Sequence, residues 1–378
     1  MQPITFGIFG MLIVLALLCK SVVAEWDDAW MLQTRGGPKD TPGSIAILMA
    51  GTLNRFHLES TAKHLVAPLR AAGWNVDYFA SVFVGNANVF DAEMQHVSFE
   101  KDPIFAKFEH LNQTNLSFIT SVISSTLTRS GAKVPYARAF DRHDTATEDL
   151  SFIDKSMMWW RVKYGRTARE NFIRMLKELE MMWHAAQKEE RKQKQQYSYV
   201  LIVRDDVWWL KDFDLDLLVR TGGVQKAIGR NAGHVYSAPC KNRPTKGLVD
   251  HVFLFDRSAA EIMGLSYSRI VRPGDFGRAW LEHLEAEKPK NSENFYMQLA
   301  NFSGFEINEV RGALLPMQRT GRLNSTVCLH KYCDIVDPVL PYKYVFRGAM
   351  PGILYDIPDS EPLFRCKDLA TLYSAKSV

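Results

Sequence analysis

Apolar positions along this chain fall into two alternating rhythms. Ile45-Ala46-Ile47-Leu48-Met49-Ala50 is a continuous apolar run ending at Gly51, and it reads as a strand buried on both faces. From Glu59 to Ala72 the apolar side chains Ala62, Leu65, Val66 and Leu69 recur at helical spacing until Gly73 stops them. Val76 to Val82 is a second strand, so this order predicts a right-handed βαβ unit and a parallel sheet. Asn86 to Gly131 is loop-rich with one helix through Leu116 to Leu127, and Val134 to Phe140 returns as a strand. Phe172, Leu176, Leu179, Trp183 and Ala186 then form one face of a helix whose cation-bearing end is Lys188 to Gln196. Further strands are expected at Tyr199 to Val203, at His234 to Pro239, at Leu248 to Phe255 with a polar interruption, and at Phe305 to Ile307. Helices are expected near Ser258 and after an Asn291 cap, the latter bearing Phe295, Leu299 and Phe302. The whole reads as one large α/β domain, a mostly parallel central sheet flanked by helices.

Composition adds size and compartment. With 378 residues, 47% hydrophobic and 23% charged, the chain can bury a full core. A net charge of +4 from 46 basic and 42 acidic residues is too balanced for a nucleic-acid partner. Ile4 to Cys19 is apolar except for Thr5, and Val22-Val23-Ala24 offers a cleavage site before Glu25. Residues 1–24 are therefore expected to be a signal peptide, or a signal anchor if Lys20 snorkels to the membrane surface. Residues 25–43 form a polar linker or stem and 44–378 the folded domain. Sequons at Asn112, Asn115, Asn301 and Asn324 agree with a lumenal or secreted chain, in the Golgi, the endoplasmic reticulum or outside the cell. Beyond Cys19 stand Cys240, Cys328, Cys333 and Cys366, an even number that allows two disulfides in three pairings, reaching into a C-terminal extension.

Chemistry concentrates in Tyr199 to Trp209. Five apolar residues give way to Arg204-Asp205-Asp206, which places charge at the carboxyl end of a buried strand. Ligands of open α/β sheets settle at that end, and paired carboxylates suit Mn²⁺ or Mg²⁺ held against phosphates. The competing account is that the two acids only end the strand, with Arg204 as their ion-pair partner. Asp212-Phe213-Asp214-Leu215-Asp216 contains two D-x-D triplets, but it follows no strand and precedes Leu217-Leu218-Val219, so it reads as helix capping. Thr52-Leu53-Asn54-Arg55 forms the first ligand loop, in which Arg55 either binds a diphosphate or makes a surface ion pair. Neither a dinucleotide-binding glycine motif nor a phosphate loop is present in the sequence.

These segments, in order, resemble the secretory-pathway glycosyltransferases and glycosyltransferase-like proteins of eukaryotes with the nucleotide-diphospho-sugar transferase (GT-A) fold. The resemblance runs through Ile45 to Arg55, Val76 to Phe79, Trp159-Trp160-Arg161, Tyr199 to Asp206, Gly247 to Asp250 and Ser292-Glu293, within roughly residues 44–310. It implies a GT-A-like sheet, a nucleotide-sugar donor, and a glycan or protein acceptor. It also implies that Asp206 with Asp205 holds the divalent metal, with Arg204 and Arg55 assisting the diphosphate. Asp250 and Glu293 are similar to acidic positions that orient or deprotonate an acceptor hydroxyl; capping or surface pairing accounts for them equally well. The R-D-D sequence departs from the family's D-x-D and leaves open whether Arg204 supplies part of the metal's charge. Because fold does not guarantee activity, a carbohydrate-binding protein without turnover stands as the alternative.

Overall fold

The computed structural model describes residues 43–53, 56–84, 116–140, 165–209, 212–221, 233–237, 239–240, 247–248, 251–289, 291–309, 317–323, 326–330, 344–345 and 355–356. The elements are strand β1 (Ser44–Thr52), helix α1 (Leu58–Thr61), a π-helical turn (Ala62–Val66), α2 (Ala67–Ala71), β2 (Asn75–Phe83), α3 (Leu116–Arg129), β3 (Lys133–Phe140) and α4 (Gly165–Gln193). They continue through β4 (Tyr199–Arg204), β5 (Val207–Trp209), α5 (Leu215–Thr221), β6 (His234–Ser237), β7 (Pro239–Cys240), β8 (Gly247–Leu248) and β9 (Val252–Asp256). The remainder are α6 (Arg257–Gly264), α7 (Ser266–Val271), α8 (Asp275–Glu287), α9 (Ser292–Phe302), β10 (Glu306–Glu309), β11 (Met317–Leu323), β12 (Thr326–His330), β13 (Tyr344–Val345) and β14 (Tyr355–Asp356).

The main sheet has seven strands in the order β10-β6-β9-β4-β1-β2-β3. Every pairing within it is parallel except those of β9, which runs against β4 and β6. This is the mostly parallel, helix-flanked sheet that the GT-A resemblance implies. Its central strands are buried on both faces, as their unbroken apolar runs require. Ile45, Ile47 and Met49 face one core with Leu65, Leu69, Ile123 and Leu127. Ala46, Leu48, Ala50, Val200 and Ile202 face the other, against Leu176, Leu179 and Trp183 of α4.

Several expectations shift in detail. The first helix is broken by the π-turn, and the strand expected through Pro239 divides, since β6 joins the main sheet while β7 pairs with β8. Beyond the acidic turn the chain leaves the main sheet, and β5 pairs antiparallel with β11, which pairs with β12.

Side chains at the amino edge of the sheet fasten α4. Tyr197 Oη and Gln193 Nε2 donate to Asp77 Oδ2 at 2.6 and 2.9 Å. Arg257 donates to both oxygens of Glu190 at 2.8 and 3.1 Å, and Lys133 pairs with Glu189. Toward the carboxyl edge Ser81 donates to Glu178. Both ends of the helix's buried face are thus tied to the sheet, and its cation-rich tail, Arg191, Lys192 and Lys194, remains exposed.

The signal segment, the stem, Trp159 to Arg161, Arg55, Asp250, and the sequon asparagines 112, 115 and 324 lie outside the described residues. So do Cys333 and Cys366. Cys240 lies on β7 and Cys328 on β12. The Asn301 sequon ends α9 with its asparagine exposed.

Candidate active site

Asp205 and Asp206 form the two-residue turn between β4 and β5. Anchors on both sides hold it in place. Val200 to Val203 are buried before the turn; after it Trp209 is wholly buried, packs on Phe213 at 5.4 Å, and donates its backbone N–H to Ser60 Oγ at 3.0 Å. The acids cannot drift toward solvent, and they are 2% and 1% exposed.

The two carboxylates are held differently. Asp205 Oδ2 accepts from the backbone N–H and from the hydroxyl of Thr52, at 2.8 and 2.9 Å. Gly51 makes room for it, since a Cβ there would lie 2.2 Å from both Cβ and Cγ of Asp205. Asp206 is clasped side-on by Arg204, whose Nε and Nη2 each donate to one carboxylate oxygen at 3.0 Å. That bidentate fork is the ion pair expected if the acids only close the strand. It is also a cation held against a carboxylate at a strand's carboxyl end.

Register places two more groups at this edge. Arg204 follows Val200 and Ile202 in the strand's alternation, so its side chain belongs to the α4 face. The Arg204 backbone N–H donates to the His251 carbonyl at 2.9 Å, which sets His251 across from it at the tip of β9. Alternation through Phe253 and Phe255, which face the α4 core, puts His251 on that same face, and it is buried at 6% exposure.

The first turns of α9 close over this corner. Asn291 caps the helix by accepting from the Asn294 N–H at 2.9 Å. Tyr296 packs on Phe253 at 4.6 Å, and both Phe295 and Tyr296 pack on Phe172 of α4. Glu293 sits one helical turn before Tyr296 on the same side of the helix, buried, with Ser292 Oγ donating to its Oε2 at 3.3 Å. The carboxyl edge of the central strands therefore gathers Asp205, Asp206, Arg204, His251 and Glu293.

Sequence reasoning missed His251, although the apolar alternation around it fixes its face. The D-x-D triplets are what capping predicts. Asp214 Oδ1 accepts from the Leu217 N–H at 2.8 Å, and Asp212, largely exposed, pairs with His64 at 2.8 Å.

No trio of acid, histidine or cysteine side chains that could hold a metal by itself occurs among the described residues. One or two carboxylates with substrate phosphates are a usual shell for Mg²⁺, however, and the turn offers that donor chemistry. Asp206 already neutralises a guanidinium, so a divalent ion there would exchange places with Arg204.

No family model matches the chain, and no curated protein does. Among solved structures, it is similar to mouse xyloside xylosyltransferase 1 in its apo form, with 11% identity and a TM-score of 0.36 over 71% of this chain and 86% of that one. It is similar to the galactosyltransferase LgtC in complex with donor and acceptor sugar analogues, at 11% identity and 0.31, over 71% and 73%. The glycosyltransferase GlyE of Streptococcus pneumoniae TIGR4 matches at 10% identity and 0.31, over 72% of this chain but only 46% of its own. At such scores the chemistry has to be read from this chain's own residues.

Proposed function

We propose that this chain is a glycosyltransferase that moves a sugar from a nucleotide-diphosphate donor to a glycan or protein acceptor in the secretory pathway. The observation that carries the proposal is the buried Arg204–Asp206 pair at the carboxyl tip of a central strand, with Glu293 closing over the same edge. Buried charge of this kind is costly to maintain for packing alone. In the proposed reaction the bond from the sugar's anomeric carbon to phosphate breaks, and the diphosphate leaves with the electron pair. The acceptor oxygen bonds to that carbon, and its proton passes to a carboxylate. Arg204, aided by Arg55, neutralises the departing diphosphate; Asp206 and Asp205 are the carboxylates that would hold Mn²⁺ or Mg²⁺. A bound divalent ion would supply further neutralisation of the leaving group. Asp250 or Glu293 orients the acceptor hydroxyl and takes its proton.

The test is incubation of the purified chain with UDP- and GDP-sugars, with and without Mn²⁺, following donor hydrolysis and transfer. Turnover of at least one donor supports the proposal. An inert wild type that binds none of them overturns it.

One observation favours a second reading, in which the chain binds carbohydrate without turnover: both oxygens of Asp206 are already engaged by Arg204. Glycan capture on an array that survives EDTA and Asp206→Ala, without turnover of any donor, would select that reading.

A further inference from the structure

We propose that Thr52 is a positioning residue of the donor site, acting through Asp205, so that the two acids of the turn divide their work. This rests on the nucleotide-sugar reading above. Both acids are buried and both are engaged, but by partners of opposite mobility. Asp205 Oδ2 is held by a backbone N–H and by the hydroxyl of a β-branched residue, both belonging to the end of β1. Those donors cannot move without unpairing β1 from β2 and β4, between which it lies. Asp206 is held by a long arginine side chain, 19% exposed, which can swing toward an arriving diphosphate while its backbone stays in β4. Asp206 can therefore change partners during binding, whereas Asp205 cannot release Thr52 without undoing the sheet's edge.

Thr52 also begins the loop that carries Arg55. By fixing Thr52, Asp205 sets where that loop leaves the sheet relative to the acidic turn, and so joins the two segments that would meet the donor. Gly51 completes the joint, because a side chain there would occupy the space of the Asp205 carboxylate. Sequence reasoning named both acids as metal ligands. On this account Asp206 is the acid that exchanges partners, and Asp205 is the one that holds the site's shape.

The experiment is a double-mutant cycle on Thr52→Val and Asp205→Asn, read by calorimetric binding of UDP and GDP with Mn²⁺ and by amide exchange at Thr52 without nucleotide. Each single variant should weaken nucleotide binding by roughly tenfold, with the double variant no weaker than either, and Thr52→Ser should restore affinity. The Mn²⁺ midpoint should be alike in Thr52→Val and Asp205→Asn, and the Thr52 amide should exchange faster in Asp205→Asn. Additive losses, wild-type affinity in Thr52→Val, or a Mn²⁺ midpoint shifted by Asp205→Asn alone would overturn the proposal. Failure of the wild type to bind either nucleotide would overturn the donor-site reading instead. The exchange measurement still reports whether the Thr52 joint exists, so the two failures are distinguishable.

Discussion

Tyr78 lies within the sheet, 0% exposed, and its hydroxyl has no hydrogen-bond partner among the described residues. Burial alone pushes its ionisation far above that of an ordinary tyrosine. A buried hydroxyl without a partner forfeits its hydration, so Tyr78→Phe should leave stability unchanged or raise it by about 1 kcal/mol in urea unfolding. A loss of more than about 1 kcal/mol would mean that the hydroxyl is satisfied by a group such as buried water. Asp205 and Asp206 present the opposite case, because their burial is matched by named donors. The sequence showed both acids at a strand tip, since an apolar run ending in three charged residues has few other meanings. It could not show that one would be tied to Thr52 and the other to Arg204, because that choice depends on β1 lying beside β4.

The helices and strands were legible where period and burial agree. α4 was visible through its apolar stripe, and Asp214 as a cap through its place before Leu215. The π-turn was invisible, because Ala62, Leu65, Val66 and Leu69 keep the spacing of an ordinary helix. Parallel or antiparallel sense leaves no trace in a buried strand, so β9 gave no warning of its direction. β11, Met317-Gln318-Arg319-Thr320-Gly321-Arg322-Leu323, lacks apolar alternation, and its pairing with β5 could not be anticipated. α4 carries a prediction of its own. Hydrogen bonds from Lys133 and Gln193 hold the Glu189 carboxyl below its ordinary value of 4.5. A depressed folded-state value contributes stability above the unfolded value, and that contribution is lost as pH falls through the folded one. Wild type should therefore lose stability more steeply than Glu189→Gln as pH drops below 4.5. Parallel acid limbs in the two melting series would contradict the role given to Glu189.

The molecule as a whole separates its two sheet edges. The amino edge carries the fastenings of α4, and the carboxyl edge gathers the candidate site, as the strand directions of an open α/β sheet lead one to expect. Its secretory setting is a proposal drawn from residues 1–24. Amino-terminal sequencing of the mature protein should begin at Glu25, whereas an intact Met1 in carbonate-washed membranes would favour a retained anchor. The central claim is that the Arg204–Asp206 tip binds a nucleotide-sugar diphosphate, and it is tested most directly with Asp206→Asn. Because the substitution leaves a guanidinium without its charged partner, it should lower stability by about 1–3 kcal/mol. Affinity must therefore be measured well below the variant's melting temperature, by titrating UDP- and GDP-sugars at several Mn²⁺ concentrations. The account predicts at least a roughly tenfold loss of donor affinity, about 1.4 kcal/mol, in a folded variant. Wild-type affinity and turnover in folded Asp206→Asn would contradict it.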